Sequence, residues 1–419
     1  MYLKEIEISN FKMFKDTKIS FKPGFNLLLG DNGVGKTTVL EAIAVALSGF
    51  LFGMEDVPTR NIYKQDVRYH IEKDRNGIPN KKYHVPTSIT SKVDYNHKEY
   101  NWTRKKSDAA GSKTVQSPRD ISVAVRDMVN GNEYFELWPI VSYQSASRHW
   151  ISRRKDAGKK LRKELHDRRC GYIGCLEAAT DMNSVLDWCF QMEWVYMETG
   201  RKPENYQMFH DIISNFMQYM NDQKECKVYF SAALKTLMYE ENGNSMEIAD
   251  LSAGYQSVLN MVIDLAYRIA LLNPDAGEKS RFTEGIVLID EIDSNLHPKW
   301  QWRIVEALIN TFSNIQFIAA THSPIIVSSC KDANIISVDE EITYLADCYA
   351  YTVDQVLRGI FGRFVRPEKV DILITEFEKC MDYEEYAKAE VILGQAKELL
   401  GTDHPDVQSM QSEFNLEAY

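Results

Sequence analysis

Apolar and polar positions alternate in short stretches over residues 1–35, the period-two pattern of half-buried strands. The alternation returns over 82–103, on either side of a turn at Tyr95-Asn96-His97. Between these stretches, 56–80 is polar and charged and reads as a loop. Phe25-Asn26-Leu27-Leu28-Leu29, 285–289 and 315–320 are instead nearly continuous apolar runs, which suit strands buried on both faces of a parallel sheet; Trp138–Tyr143 reads as a further strand. Helical spacing governs Thr37–Leu47, the run from Val258 to about Leu272, and most of 147–244. In that last interval Trp188, Phe190, Met192, Trp194, Tyr196, Phe209, Ile212, Phe216 and Met220 are the expected core. Near the end, Val370–Cys380 and Tyr383–Leu400 show helical spacing, Gly401 closes the second, and Asp403-His404-Pro405 begins a third short helix. Ala387, Ala389, Leu393, Ala396 and Leu399 give a small-residue face with the texture of a tetratricopeptide helix, though without a repeat array.

Candidate chemistry lies where these patterns change. Gly30 to Thr37 reads Gly-Asp-Asn-Gly-Val-Gly-Lys-Thr, directly between an apolar strand and a helix. The glycines let successive backbone N–H groups turn inward around phosphates, and the helix N-terminus adds its positive end. Lys36 reaches the β- and γ-phosphates, and the Thr37 hydroxyl can ligate Mg²⁺. Asn32, Gly33, Val34, Gly35, Lys36, Thr37 and Thr38 are the expected ATP-binding residues. The run 285–289 ends in Asp290, suited to Mg²⁺, and Glu291, suited to polarising an attacking water. The run 315–320 leads to His322, at a spacing that suits a γ-phosphate contact. Each feature alone is common; their joint order is what carries weight.

Leu251-Ser252-Ala253-Gly254-Tyr255-Gln256-Ser257 opens the long apolar helix with a small hydroxyl residue and a glycine, itself an anion-binding arrangement. With the phosphate loop, Asp290, Glu291 and His322, it resembles the motif set of ABC-type ATPases, whose signature commonly reads Leu-Ser-Gly-Gly-Gln. The opening Ile6–Phe14, the loop Asp31–Thr37 and the stretch Asp290–Pro298 resemble the RecF, SMC and OLD branch rather than a transporter. Within that branch, the signature and Glu385–Val407 are similar to stand-alone bacterial ATPases encoded beside a nuclease in anti-phage operons, of which the Septu ATPase subunit is one kind. The specific motifs cover 1–50 and 250–330.

The resemblance implies an α/β fold: an ABC-type P-loop ATPase head over 1–146 and 247–345, with a mixed central sheet and flanking antiparallel strands. An inserted helical lobe would occupy 147–246, and a C-terminal helical region, built on a hairpin and suited to docking a partner, 346–419. It also implies a homo-oligomer, at least a head-to-tail dimer, in which Ser252, Ala253, Gly254 and Gln256 of one head act in trans on the γ-phosphate held by the other. A glutamine between loop and signature would touch Mg²⁺ and water: Gln144 fits, and Gln65 and Gln116 lie in the same interval. The catalytic set is then Glu291, His322 and Gln144, and the Mg²⁺ set Thr37, Gln144 and Asp290. Two departures, Ala253 with Tyr255 and the spelling from Asp293 to His297, suit slow hydrolysis.

Composition narrows the setting. At 419 residues the chain exceeds one domain of about 150. Its seven cysteines contain no Cys-x-x-Cys pair, which favours reduced buried thiols over zinc. No apolar run approaches about 20 residues and the N-terminus lacks a signal profile, so a soluble cytoplasmic protein without membrane contact is expected. A net charge of −11 argues against a protein that coats DNA. Against that trend, Arg148, Arg153, Arg154, Lys155, Lys159, Lys160, Arg162, Lys163, Arg168 and Arg169 cluster, as either a solvated surface or a nucleic-acid contact. The interval 147–244 is too short and aromatic for an SMC coiled coil. The favoured reading is an ATP-hydrolysing regulatory subunit of an anti-phage complex that controls a separate effector, such as an HNH-type nuclease. The alternative is a RecF-like repair ATPase binding DNA with ATP. An OLD-type ATPase–nuclease would need an acidic nuclease domain after His322, where 97 residues of helical pattern stand.

Overall fold

The continuous apolar runs become the inner strands of one sheet. In the computed structural model, which describes residues 1–73, 76–131, 137–146, 167–177, 182–363 and 366–417, six strands lie in the order Ile342–Leu345, Asn334–Val338, Phe25–Leu29, Ile315–Ala320, Gly285–Ile289, Ile140–Gln144. All neighbours are parallel except the edge pair 334–338 with 342–345. Every residue of the four inner and adjoining strands 25–29, 140–144, 285–289 and 315–320 is buried, which explains why their sequences do not alternate. Helices Lys36–Leu51 and Ala253–Leu272 bury most of their length.

The alternating segments form a second, antiparallel sheet: Phe14–Ser20, Tyr2–Phe11, Thr87–Tyr95, Lys98–Lys106 and Val115–Ser117. Thr87–Tyr95 alternates buried and half-buried side chains without exception. Trp102 closes this sheet onto the helix Lys36–Leu51 by donating its indole N–H to the Ala46 carbonyl at 2.9 Å.

Three expectations need correction. Residues 56–80 are not one loop: a 3-10 turn, Lys64–Asp66, leads to a two-stranded ribbon, Tyr69–Lys73 with Pro79–Tyr83. Both its faces are wet, so no alternation marked it. The interval 147–244 is not helical throughout; after helices Met182–Thr199 and Glu204–Met220 come antiparallel strands Cys226–Ser231, Thr236–Glu241 and Asn244–Glu247. In the first helix Trp188 is buried, but Phe190, Trp194 and Tyr196 are 45, 64 and 42% exposed. Aromatic density suggests core, whereas one stripe of the helix faces solvent. Phe209, Ile212, Phe216 and Met220 are buried as expected, in a helix that packs on Ala253–Leu272.

The chain divides into a unit Met1–Ala350 and a unit Tyr351–Tyr419. The second unit has its own core. Helices Glu368–Asp382, Tyr386–Leu400 and Pro405–Glu417 bury Ile374, Phe377, Met381, Ala389, Leu393, Ala396 and Met410 together. Ala387 and Leu399 face solvent, so the buried face of the middle helix is narrower than the sequence suggested. Among the described residues, no helix is long and apolar enough to cross a membrane.

Because Phe377 is wholly buried in this small core, Phe377→Ala should cost about 3–5 kcal/mol. Hydrogen exchange over 368–417 should rise steeply while the first unit's sheet stays protected. Equal protection in both forms would mean the second unit does not depend on this core.

Candidate functional site

The parallel strands end on the same side of the sheet, where α/β proteins bind ligands. The strand leading to His322 lies between the strand that feeds the phosphate loop and the one that ends in Asp290, while the strand ending in Gln144 flanks the far side. This order brings four distant sequence segments to one edge.

The phosphate loop turns through left-handed backbone at Gly33 and Gly35, with φ of 86° and 110°. At Gly35 a side chain is excluded on two counts, since an added Cβ would also lie 2.6 Å from the Met13 sulfur and 2.8 Å from the Phe14 ring. The helix from Lys36 has no side-chain cap and no acidic residue in its first turn, so its positive end is left to a ligand anion. The buried Lys36 ammonium donates to the Gly30 and Asp31 carbonyls at 2.8 and 2.9 Å. Burial lowers its pKa, against the opposing pull of Asp290, Asp31, Asp293 and Glu291.

Thr37 donates its hydroxyl to both Asp290 oxygens, at 3.1 and 3.0 Å. A hydroxyl and a buried carboxylate in contact form an oxygen-rich pair that fits Mg²⁺. Burial raises the Asp290 pKa, Thr37 opposes the shift, and Glu291 and Glu41 add to it. A bound cation would remove that penalty. Glu291 is exposed and sits in left-handed backbone, φ 45°, an unusual conformation for a non-glycine residue. It is fixed on both sides: Asp290 N–H donates to the Gln144 carbonyl at 2.8 Å and Ile292 N–H to the Ala320 carbonyl at 3.0 Å. Next to His322, which is half-buried, Thr321 donates its hydroxyl to Asp293.

Gln144 is buried, and its amide nitrogen donates to Ser142 at 2.9 Å and to Asp264 at 2.7 Å. Asp264 also accepts from Arg268 at 2.9 Å, and Arg268 in turn donates to the Gly171 and Ile173 carbonyls at 2.9 and 3.2 Å. Sequence reasoning missed this buried network. Its available signal was two opposite charges four residues apart within an otherwise apolar helix. Among the other glutamines in that interval, Gln116 is buried against the Gly49 carbonyl and Ser122, and Gln65 sits in the 3-10 turn.

At the signature, Ser252 and Ala253 are exposed at the start of the long helix. Gly254 approaches Asn295, where a Cβ would lie 2.8 Å from the carbonyl oxygen. Gln256 folds back, donating to the Ala249 and Leu251 carbonyls at 2.7 and 2.8 Å, so its amide clamps its own turn. Tyr255 packs edge-on against Trp300 and Tyr239, with ring centres 4.4 and 5.6 Å away. Of the clustered basic residues, Arg168 lies over the Trp138 ring and bonds to Asn273, and Arg169 pairs with Asp167. Arg148 through Lys163 lie outside the described residues.

Comparison with known proteins adds family context. An AAA domain model matches residues 5–193, and a model described as AAA domain, putative AbiEii toxin, Type IV TA system matches 144–328. The chain is 26% identical to the retron Vc95 probable ATPase of Vibrio cholerae, over 81% of this chain and 73% of that protein. It is 25% identical to the Septu protein PtuA of Bacillus thuringiensis, over 93% of this chain and 91% of that protein. A shorter match, 36% identical over 36% of this chain, is to 28% of the retron Ec83 probable ATPase of Escherichia coli.

Lys36→Ala removes the loop's buried cation, and nucleotide binding measured by calorimetry should vanish. Glu291→Gln keeps shape but not charge: ATP should still bind while turnover falls about 10²-fold or more. Undiminished turnover would assign the water-activating role to another group.

Proposed function

We propose that this ABC-type P-loop ATPase, a relative of retron and Septu proteins, is the ATP-hydrolysing regulatory subunit of a bacterial anti-phage defence complex. It dimerises head to tail around ATP and controls a separate effector, a nuclease of the HNH type being the expected class. The observation that carries this reading is the exposed N-terminal end of the helix Ala253–Leu272. Ser252 and Ala253 stand in solvent, no acid occupies the first turn, and no side chain caps the helix. Such an end is an anion site without an anion of its own chain to hold. A second head would supply the γ-phosphate.

In the composite site, Lys36 and the loop amides hold the β- and γ-phosphates. Thr37 and Asp290 would hold Mg²⁺, which would supply positive charge to offset that of the phosphates. Glu291 would orient water and His322 would contact the γ-phosphate. Gln144, its nitrogen tied to Asp264, would offer its amide oxygen. Gly254 against Asn295 links the signature turn to the segment after Glu291, so the arrival of a partner phosphate would be felt beside the water-activating carboxylate.

ATP controls an effector only through a surface whose contacts differ between nucleotide states. The separately cored unit Tyr351–Tyr419, which contributes nothing to the nucleotide motifs, is assigned that docking role. Its outer face is acidic: burial and the neighbours Glu417, Glu378 and Asp382 raise the pKa of Glu413.

Ala253→Asp tests the dimer. An aspartate in the first turn favours the helix itself yet repels a partner's γ-phosphate, so the fold should hold while ATPase activity falls at least tenfold. Mixing it with Lys36→Ala protein should restore part of the activity, since one hybrid interface has two intact halves; full activity of Ala253→Asp alone would refute the head-to-tail arrangement. Removing residues 351–419 should leave calorimetric ATP binding intact and abolish co-purification with the product of the neighbouring gene. Retained co-purification would move the docking surface to the first unit.

A further inference from the structure

The ribbon Tyr69–Lys73 with Pro79–Tyr83 belongs to no larger sheet, and all its strand residues are exposed except Tyr83, which is half-exposed. An isolated two-stranded ribbon is at best marginally stable, so aromatic and apolar side chains displayed on it serve no core. Its register sorts the side chains into two faces. Tyr69 pairs with Tyr83, Ile71 with Lys81 and Lys73 with Pro79 on one; His70 pairs with Lys82 and Glu72 with Asn80 on the other.

The first face interleaves rings and cations. The Tyr69 and Tyr83 rings are 5.8 Å apart; Lys81 lies 4.1 Å over Tyr69, and Lys64, from the preceding turn, 5.4 Å over Tyr83. Among its described residues this face has no carboxylate. Glu72 is on the other face, held by His70 at 2.9 Å and Lys82 at 3.0 Å. On that second face Lys82 offsets Glu72, and the His84 pKa is lowered by desolvation first, then by Arg68, His70, Lys82 and Lys15. In a chain of net charge −11 the first face is a local inversion of sign.

We propose that the ribbon binds single-stranded nucleic acid, with bases stacking on Tyr69, Tyr83 and Ile71 and phosphates meeting Lys64, Lys73 and Lys81. Stacking on rings is open to any exposed base, and lysines resting on those rings swing to phosphates at little cost. A duplex hides its base faces and would use only the lysines. An acidic protein would likewise leave the rings without a role.

The ribbon's root also ties it to the nucleotide loop. Lys12 N–H donates to the Asp66 carbonyl at 2.7 Å, Arg68 N–H to the Asn10 carbonyl at 3.0 Å, and Phe11 bridges Val67. The same turn carries Met13 and Phe14, which abut Gly35.

The test is fluorescence anisotropy of labelled oligothymidylate and oligouridylate, each of about 20 nucleotides, with the full chain. The double variant Tyr69→Ala, Tyr83→Ala should weaken binding about tenfold or more. Lys64→Glu, Lys73→Glu, Lys81→Glu should weaken it further and flatten the salt dependence by about 2 in the log–log slope. ATP binding by calorimetry should be unchanged in both, which shows that each is folded. Wild-type affinity in either variant overturns the proposal, as does a duplex of equal length binding as tightly as the single strand. Intact oligonucleotide binding with loss of a co-purifying protein would assign the ribbon to protein docking and overturn it too.

Discussion

The Asp264 carboxylate is the point on which the site's geometry depends. It is buried, and it meets Gln144, Ser142 and Arg268, while Arg268 reaches the Gly171 and Ile173 carbonyls. Isolated, a buried charge costs several kcal/mol, and it persists only if its lone pairs are met. Here they are met from two parts of the chain, the strand carrying Ser142 and Gln144 and Arg268 of the same helix, and Arg268 is itself anchored on a third, the segment of Gly171 and Ile173. The long helix that presents the signature at its N-terminus therefore cannot rotate without disturbing the strand that ends in Gln144. The strand end carrying Gln144 and the helix end carrying Ser252 and Gly254 thus share one rigid support.

The signature's departures from the common spelling read differently in this light. Tyr255 replaces a glutamine, and in compensation its ring packs against Trp300, just past the segment of Asn295, and against Tyr239 of the small antiparallel sheet. Gln256 is spent on closing its own turn. In the proposed trans role the polar work of recognition would fall to the backbone amides and Ser252, while apolar contact fixes the angle of the turn. A helix N-terminus needs little more to hold a phosphate oxygen.

Much of this was legible in the sequence because the determinants are local. Glycines at left-handed positions, apolar runs ending in acids and a helix opened by a hydroxyl each encode their own geometry, so the central sheet, the phosphate loop and the segment carrying Asp290 and Glu291 could be read directly. What failed depended on partners distant along the chain. The ribbon Tyr69–Tyr83 has no buried face to impose alternation. Phe190, Trp194 and Tyr196 carry the composition of a core and the position of a surface. The strands of 226–247 follow two helices closely enough that helical texture masked them. Asp264 and Arg268 are intelligible only once Gln144 and Gly171 are beside them.

The contacts within the phosphate loop bear on how a nucleotide would gain leverage over this framework. Lys36 donates to its own loop carbonyls and Thr37 to Asp290, so both groups are satisfied within the chain. Phosphates meeting Lys36 would compete with the first pair of bonds, and a cation on Asp290 with the second. Each exchange would set an ion against an ion, in place of the Lys36 ammonium on neutral carbonyls and the Asp290 carboxylate on a neutral hydroxyl, and burial disfavours both charges while they lack a counter-ion. Asp290 is hydrogen-bonded to the Gln144 backbone, Glu291 follows in strained backbone, and Asp293 holds the hydroxyl next to His322. A cation held by Asp290 would thus act on three candidate catalytic groups through bonds already in place, and Gly254 against Asn295 would carry the effect to the edge where the proposed second head would close.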